Sequence, residues 1–437
     1  MKVLIINRYM DLENPADPCM MLCKDFISEG HEVTLVTSAD TYSGRQRKSP
    51  LFSTSSVQEG IRIVLVHSRP FSEQDMGKPF YRSVKSFTRI YKRVIKKYVR
   101  QANLIIVYST APADIDKLAD FKRAGKLKNK KLVYHISDLW PTTAVERYGR
   151  HIGEKFLTKM QYFEDVAFNN ADFIVSELQY ASGYVFSRGY RVEGRFQYIP
   201  VGIDETRHLH LNTPGQAVVD LFVSLRQQEK FVVSAFDDPA EGEQIKCLIE
   251  ALKTVPEPVH GVLVCKQENL EQYRTLAGDA KNITLFPFTD DNDLDNILRA
   301  SDMVYFGEQY HTLQRFGSDC PGLFRAMLSG RPVLYAGDGS SSHVVTAKAG
   351  LAVSPSDPEA VKEALTAAPE LPPEVMDLMG EAGRQYVIDN YGRGLRLKRY
   401  LELVNREEDP LEKIKGNKVK GNYIAHRNKY ESKYYLK

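Results

Sequence analysis

Short apolar segments with strand character alternate with segments of helical period along most of this chain. The alternation begins with a predicted strand at Val3–Asn7 and a predicted helix at Met20–Glu29, and it returns to strands at Val33–Thr37 and Ile61–His67. Strands and helices that alternate in this way form parallel sheets with right-handed crossovers. The pattern therefore predicts an α/β fold.

The alternation restarts after residue 204, which predicts a second domain. Predicted strands at Phe231–Phe236, Gly261–Cys265, Ile283–Phe288 and Met303–Phe306 are separated by predicted helices. The length of 437 residues is also too great for one compact core. We predict two Rossmann-like, doubly wound parallel-sheet domains over residues 1–203 and 204–385, closing helices over 386–405 that cross back to the first domain, and a basic, aromatic tail over 406–437.

Composition argues against several classes of protein. No apolar run is long enough to cross a bilayer, and the start MKVLIINRYM lacks the features of a signal peptide, so we expect a cytoplasmic protein. The five cysteines are scattered, which predicts neither a disulfide framework nor a metal site. The net charge of +3 is too small to indicate nucleic acid as a partner.

A loop rich in glycine and serine precedes a short predicted helix in the stretch from Phe316 to Asp338. The loop is Gly317–Gly322, the helix starts near Leu323, and a buried strand is predicted at Val333–Ala336. Free N–H groups at a helix N-terminus can hold an anion, and ligands of open α/β sheets bind beyond the carboxyl ends of the strands. The stretch therefore suggests an anion-binding loop, although an ordinary helix–strand joint has the same pattern.

One predicted helix, from Lys78 to Arg100, is strongly basic and contains no Asp or Glu. Its apolar residues form one stripe: Val84, Phe87, Tyr91, Val94 and Tyr98. Its basic positions include Lys85, Arg89, Lys92, Arg93, Lys96 and Lys97. These six are either a solvated face of a core-packed helix or a contact with anionic lipid head groups, worth about 1 kcal/mol per residue. We expect the stripe to pack on the sheet and the six basic residues to contact the membrane.

The strand Lys131–Ile136 is followed by a segment that contains the single tryptophan of the chain, SDLWP. Within it, Asp138 lies where the carboxyl end of a strand meets a loop, which is where ligands bind in open α/β sheets. Asp138 is therefore a candidate catalytic carboxylate, or else a cap of the helix that follows.

Several motifs together resemble those of family 4 retaining glycosyltransferases, which have the GT-B architecture of two Rossmann-like domains. MKVLII with GHEVTLVTS resembles the first βαβ unit of that family, and YSTAP followed by HISDLWP resembles a branch that builds bacterial surface polysaccharides. IPVGID resembles the interdomain IPNGVD, and LFRAMLSGRPVLYAGDGSS followed by AGLAVSPSDPEAVKEAL resembles the donor-domain stretch. The resemblance covers nearly all of residues 1–405.

The resemblance implies an enzyme that moves a sugar from a nucleoside diphosphate sugar to an acceptor hydroxyl with retained configuration and without a metal or other cofactor. The first domain would bind the acceptor, expected to be a lipid-linked glycan at the cytoplasmic face of the membrane, and the second the donor. Candidate catalytic residues are Asp138 and Glu308. Candidate donor-binding residues are Gly317, Ser318, Gly322, Leu323, Arg325 and Lys266.

Several ligand-facing positions depart from the family pattern. Its paired glutamates fall at Gly317 and Arg325, and a guanidinium can only donate hydrogen bonds where a carboxylate would accept them from ribose. The segment Asp237–Glu241 is acidic where a diphosphate would approach. We expect Arg325 to bind the diphosphate; alternatively it pairs with Asp237, Asp238 or Glu308 and fills the nucleotide pocket.

These departures leave two alternatives to an active transferase. One is a catalytically silent GT-B protein that acts as partner or scaffold of a true glycosyltransferase, with the tail 406–437 as a possible protein contact. The other is a sugar-nucleotide epimerase of the same fold, which the DLWP motif disfavours.

Overall fold

The computed structural model describes residues 1–10, 12, 14, 17–39, 52–69, 78–108, 112–139, 141–149, 153–237, 242–308, 316–317, 320–339 and 342–406. The strands in these ranges are β1 (Lys2–Ile6), β2 (Glu32–Ser38), β3 (Ser53–Gln58), β4 (Ile61–Val66), β5 (Leu104–Tyr108), β6 (Lys131–Ile136), β7 (Phe173–Ser176), β8 (Phe196–Tyr198), β9 (Phe231–Phe236), β10 (Val259–Cys265), β11 (Ile283–Pro287), β12 (Met303–Gly307), β13 (Val333–Ala336) and β14 (Gly350–Val353). The α-helices are α1 (Pro18–Ser28), α2 (Lys78–Gln101), α3 (Ile115–Arg123), α4 (Thr142–Tyr148), α5 (Glu154–Asn170), α6 (Ala181–Ser187), α7 (Glu205–Leu209), α8 (Gln216–Gln227), α9 (Gly242–Leu252), α10 (Leu270–Ala277), α11 (Asp291–Ala300), α12 (Pro321–Leu328), α13 (His343–Ala347), α14 (Pro358–Ala367), α15 (Pro373–Tyr391) and α16 (Arg393–Asn405).

The strands form two sheets. The first has the order β3-β4-β2-β1-β5-β6-β7-β8 and is parallel except for the antiparallel edge strand β3; the second has the order β11-β10-β9-β12-β13-β14 and is parallel throughout. In each sheet the strand order reverses at a switch point, between β1 and β5 and between β9 and β12. The prediction of two doubly wound parallel-sheet domains is confirmed.

Both faces of each sheet are buried, which explains why the strands are apolar without alternation. In the first sheet, Leu4 and Ile6 face α2, α3, α5 and α6, whereas Val3 and Ile5 face α1 and α16. In the second sheet, one core includes residues of α8, α11, α12 and α15, and the other includes residues of α9, α10 and α14.

The long basic helix α2 packs on the first sheet through one buried stripe, as expected. The most buried members of the stripe are Phe80, Val84, Phe87, Tyr91, Ile95 and Val99. Val94 and Tyr98, predicted for this stripe, are only half-buried. A four-residue step exceeds one helical turn of 3.6 residues, so repeated four-residue steps shift the buried stripe around the helix. At the C-terminal end of α2 the buried residues are therefore Ile95 and Val99, each one position after the predicted residue.

The chain crosses between the domains at two neighbouring points. The N–H of Ile203 donates to the carbonyl of Tyr391 at 2.8 Å, so the outgoing and returning segments run side by side. Gly202 has a φ of +77°, and a Cβ there would lie 2.9 Å from the same carbonyl oxygen. The return occurs at Gly392, later than the expected boundary near residue 386, because α15 continues without a break to Tyr391.

The last helix, α16, completes the core of the first domain. Leu397, Tyr400 and Leu403 are buried against the sheet and α1. The Tyr400 hydroxyl forms a hydrogen bond with Nδ1 of the buried His135 on β6. Burial lowers the pKa of His135, so this contact joins uncharged groups near neutral pH.

No helix in the described part of the chain is both long and apolar enough to cross a membrane. Of the predicted tail, residues 407–437 lie outside the described residues.

Candidate active-site cleft

Four charged residues follow the carboxyl ends of strands in the second sheet. Asp237 follows β9, Lys266 follows β10, Glu308 follows β12, and Asp338 lies just beyond β13. Since β9 and β12 flank the switch point, Asp237 and Glu308 lie where an open α/β sheet binds its ligand.

Glu308 is held rigidly at this switch point. Glu308 is only 5% exposed, and its carboxylate accepts a hydrogen bond of 3.0 Å from the Tyr335 hydroxyl. Burial, together with the negative charge of Glu308, raises the pKa of Tyr335, so the hydroxyl remains a donor. A side chain at Gly337 would overlap the Tyr335 ring, so this glycine leaves room for the contact. A surface cavity of about 530 Å³, lined by residues 337–339 and 352–355, lies beside it at the ends of β13 and β14.

The carboxylate of Asp237 is directed at the start of α10. It accepts hydrogen bonds from Asn269 Nδ2 at 2.5 Å and from the Tyr273 hydroxyl at 3.2 Å. The negative charge therefore has partners of its own, which weakens the expected conflict with a diphosphate. Residues 238–241, the rest of the predicted acidic segment, lie outside the described residues.

Lys266 is half-buried at the end of β10. Within the described ranges its ammonium group has no carboxylate at ion-pair distance. It is therefore available to an anion as a point charge.

Arg325 is held by α11. Its Nε donates to Asp295 at 2.5 Å, and Nη1 donates to the carboxylate of Asp291 at 2.8 Å. A third bond of 2.8 Å joins Nη2 to the Asp291 carbonyl. Although burial opposes ionisation, Arg325 keeps the pKa of Asp291 below its usual value. Arg325 therefore pairs with carboxylates, as in the alternative to diphosphate binding, but with Asp291 and Asp295 instead of Asp237 or Glu308; Asp238, the third partner named there, lies outside the described residues. A diphosphate would compete with two carboxylates for this guanidinium.

Helix α12 begins at Pro321 instead of near Leu323, because proline is favourable in the first turn of a helix. Gly322 and Leu323 are buried in that turn, so they offer backbone groups only. Ser318, also predicted to bind the donor, lies outside the described residues.

The segment before α12 contacts the first domain. The carbonyl of Phe316 accepts a 2.8 Å hydrogen bond from the N–H of Tyr180, and the Phe316 ring meets the ring of Tyr184 edge-on at 5.7 Å between centroids. Gly317 has a φ of +98°, and a Cβ there would lie 2.8 Å from the backbone nitrogen of Gln179. The position where the resemblance implied a glutamate has no room for a side chain.

This contact also orients the domains. Phe316 follows β12, and Gln179 follows β7, so the carboxyl edges of the two sheets face each other across one cleft.

Solved structures with this arrangement match the chain over nearly its full length. The Anabaena protein Alr3699/HepE in complex with UDP is 16% identical with a TM-score of 0.61, and the match covers 92% of this chain and 99% of that one; the same protein has been solved with UDP-glucose. Sucrose-phosphate synthase from Thermosynechococcus elongatus is 13% identical with a TM-score of 0.60, covering 92% and 98%. WaaG, a glycosyltransferase involved in lipopolysaccharide biosynthesis, is 15% identical with a TM-score of 0.59, covering 93% and 100%.

The chain has the GT-B fold. No protein-family model matches it, and no curated protein sequence matches it significantly. At these identities the likeness describes the fold, so the chemistry has to be argued from the residues of the cleft.

On the first-domain side of the GT-B cleft, Asp138 follows β6 and is half-buried. Its Oδ1 accepts a hydrogen bond of 2.8 Å from the N–H of Leu139 and another from the Thr143 hydroxyl at the start of α4. Neither contact caps the helix, because the N-cap residue of α4 is Pro141 and the two donors are the neighbouring N–H and a side-chain hydroxyl. A catalytic role for Asp138 stays a prediction.

A buried carboxyl group in the first domain of this GT-B fold had no sequence signal. Glu164 on α5 is 2% exposed, and its two oxygens each lie 2.9 Å from the hydroxyl of Tyr184, the residue that meets Phe316. Burial raises the pKa of Glu164 to about 8, although Arg188 lies 3.4 Å away and opposes the shift. An acidic residue in a predicted helix is expected to be exposed, and nothing in the sequence indicates the contact with Tyr184 of α6 that helps to bury this one.

No group of three or more His, Cys, Asp or Glu side chains within the described ranges is arranged to hold a metal ion.

Proposed function

We propose that this chain is a glycosyltransferase that moves a sugar from a nucleoside diphosphate sugar to the hydroxyl of a lipid-linked glycan, with retained configuration. The observation that carries the proposal is the cleft itself. The carboxyl edges of two doubly wound sheets meet there, and both edges are where such sheets bind ligands. The complexes of HepE with UDP and UDP-glucose support a nucleoside diphosphate sugar as the donor.

The second domain is proposed to hold the donor without a metal. The N-terminus of α12 supplies backbone N–H groups, and Lys266 supplies a positive charge without a carboxylate partner in the described part of the chain. Glu308 supplies an oriented acceptor for a donor hydroxyl, since Tyr335 fixes its carboxylate. Asp138 is proposed to face the reacting groups from the first domain.

The acceptor is proposed to be lipid-linked because α2 presents a basic face outward. Its exposed basic residues are Arg82, Lys85, Arg89, Arg93, Lys96, Lys97 and Arg100. No described carboxylate lies within ion-pair distance of any of these seven. Lys92, also predicted to contact the membrane, lies 3.5 Å from Asp116, which already balances its charge. A peripheral site on an anionic, cytoplasmic membrane face matches this surface.

Calorimetric titration with UDP, GDP, ADP and CDP, followed by transfer assays with the matching sugar nucleotides, tests the proposal. We expect one nucleotide to bind and its sugar to be transferred to a lipid-linked acceptor. If a nucleotide binds but no sugar nucleotide is transferred or hydrolysed, the alternative of a catalytically silent GT-B protein is favoured instead. Absence of binding to every nucleotide would refute the donor site.

A further inference from the structure

The contact of Phe316 and Gly317 with the first domain joins the two sides of the cleft in addition to the covalent crossings at Gly202 and Gly392. It consists of a backbone hydrogen bond, a ring-to-ring contact and a close backbone approach. Phe316 packs at the edge of the first-domain core although it belongs to the second domain.

The close approach at Gly317 depends on the absence of a side chain. A Cβ would lie 2.8 Å from the nitrogen, 3.1 Å from Cβ and 3.4 Å from Cα of Gln179. Two of these three atoms are backbone, so they cannot rotate aside as the end of a flexible side chain would. A side chain at this position would therefore push the two domains apart.

We propose that Phe316 and Gly317 are positioning residues that hold the two domains closed over the cleft in the absence of a ligand, and that this closure sets the affinity for the nucleoside diphosphate sugar. The second part of the proposal rests on the proposed function; the first does not. Interfaces between domains of one chain are small, so one contact can change the fraction of closed molecules. Apparent affinity falls in proportion to that fraction when only the closed form binds fully.

The test compares Gly317→Ala with Gly278→Ala. Gly278 also has a positive φ, +59°, but a Cβ there would have no atom within 4 Å, so its variant measures backbone strain alone. Phe316→Ala is the second variant, with the 66% exposed Phe186→Ala as its control. These pairs separate the interdomain contact from general effects on folding.

Hydrogen–deuterium exchange at the Tyr180 amide, which donates across the interface, reports on closure without any ligand. Exchange of this amide should accelerate at least about tenfold in Gly317→Ala and Phe316→Ala and stay unchanged in the controls. Small-angle scattering should show a larger radius of gyration for both variants. Equal exchange and equal radius in variants and controls would overturn the proposal.

Titration with UDP, the probe nucleotide, tests the second part. Gly317→Ala should bind UDP at least about fivefold more weakly than Gly278→Ala, and the KM for the donor should rise more than kcat falls. Faster Tyr180 exchange with unchanged UDP affinity would overturn the link to the donor. If the unaltered protein binds no nucleotide, the proposed function fails, while the exchange result still decides the closure.

Discussion

Replacement of Glu164 by glutamine should remove a pH dependence from the stability of this protein. The carboxyl group is 2% exposed, and burial raises its pKa from 4.5 to about 8. A group whose pKa is raised by folding contributes stability that is complete below the unfolded pKa and is lost as the pH rises through the folded value. For Glu164 this window runs from about 4.5 to about 8.

The size of the effect follows from the shift. Each pKa unit corresponds to about 1.4 kcal/mol, and between about pH 5.5 and pH 8.5 a shift of this size removes about 3 kcal/mol from the free energy of unfolding. Glu164→Gln keeps an oxygen that can accept the Tyr184 hydrogen bond but cannot ionise. The unaltered protein should therefore lose about 3 kcal/mol more than the variant over this range.

Urea unfolding at several pH values measures the difference, since all other titrating groups are common to both proteins. Glu363→Gln, an exposed position in the middle of α14, is the matched control and should follow the unaltered protein. Parallel stability curves for Glu164→Gln and the unaltered protein would refute the reasoning. They would mean that Arg188 keeps Glu164 ionised in the folded state.

Three further predictions concern the candidate site and the membrane surface. Arg325→Ala should lower the free energy of unfolding by about 3 kcal/mol, because the buried Asp295 loses the guanidinium and keeps only His208 as a hydrogen-bond partner among the described residues. The variant should leave UDP affinity unchanged, and a tenfold loss of affinity would restore the phosphate role. Asp138→Asn keeps an oxygen that accepts from Leu139 and Thr143, so the free energy of unfolding should change by less than about 1 kcal/mol. A hundredfold loss of sugar transfer with intact UDP binding would identify Asp138 as a catalytic group. Glutamate substitutions on α2 should abolish sedimentation with anionic vesicles without lowering the melting temperature, and equal binding to neutral vesicles at any salt concentration would contradict a charge-based contact. The positions are Arg89, Arg93, Lys96 and Lys97.

Buried strands were the most predictable part of this fold. Lys131–Ile136, Phe231–Phe236 and Val333–Ala336 have the predicted bounds, because a strand covered on both faces is a nearly continuous apolar run. The edge strand Ser53–Gln58 was missed, since all six of its residues are exposed and nothing in its polar sequence has a strand period.

The candidate site was less predictable because its contacts join distant parts of the chain. Lys266 was predicted from the end of a strand and Glu308 from the family resemblance, but nothing in the sequence around Arg325 indicates that Asp291 and Asp295 lie beside it. The glycine at 317 was noticed as a departure from a pattern. A side chain is excluded at this position by the backbone of Gln179, which belongs to the other domain and is distant in the sequence.

The place of α16 has a consequence for how the protein is made. The first-domain core contains Leu397, Tyr400 and Leu403, which leave the ribosome after the whole second domain. The N-terminal half of a nascent chain therefore emerges without the helix that covers Phe26 and His135, and the part of this sheet face that α1 leaves uncovered stays open to solvent or to a chaperone during synthesis. The second domain has both of its cores within residues 203–391, so it can finish folding first, the reverse of the order of synthesis.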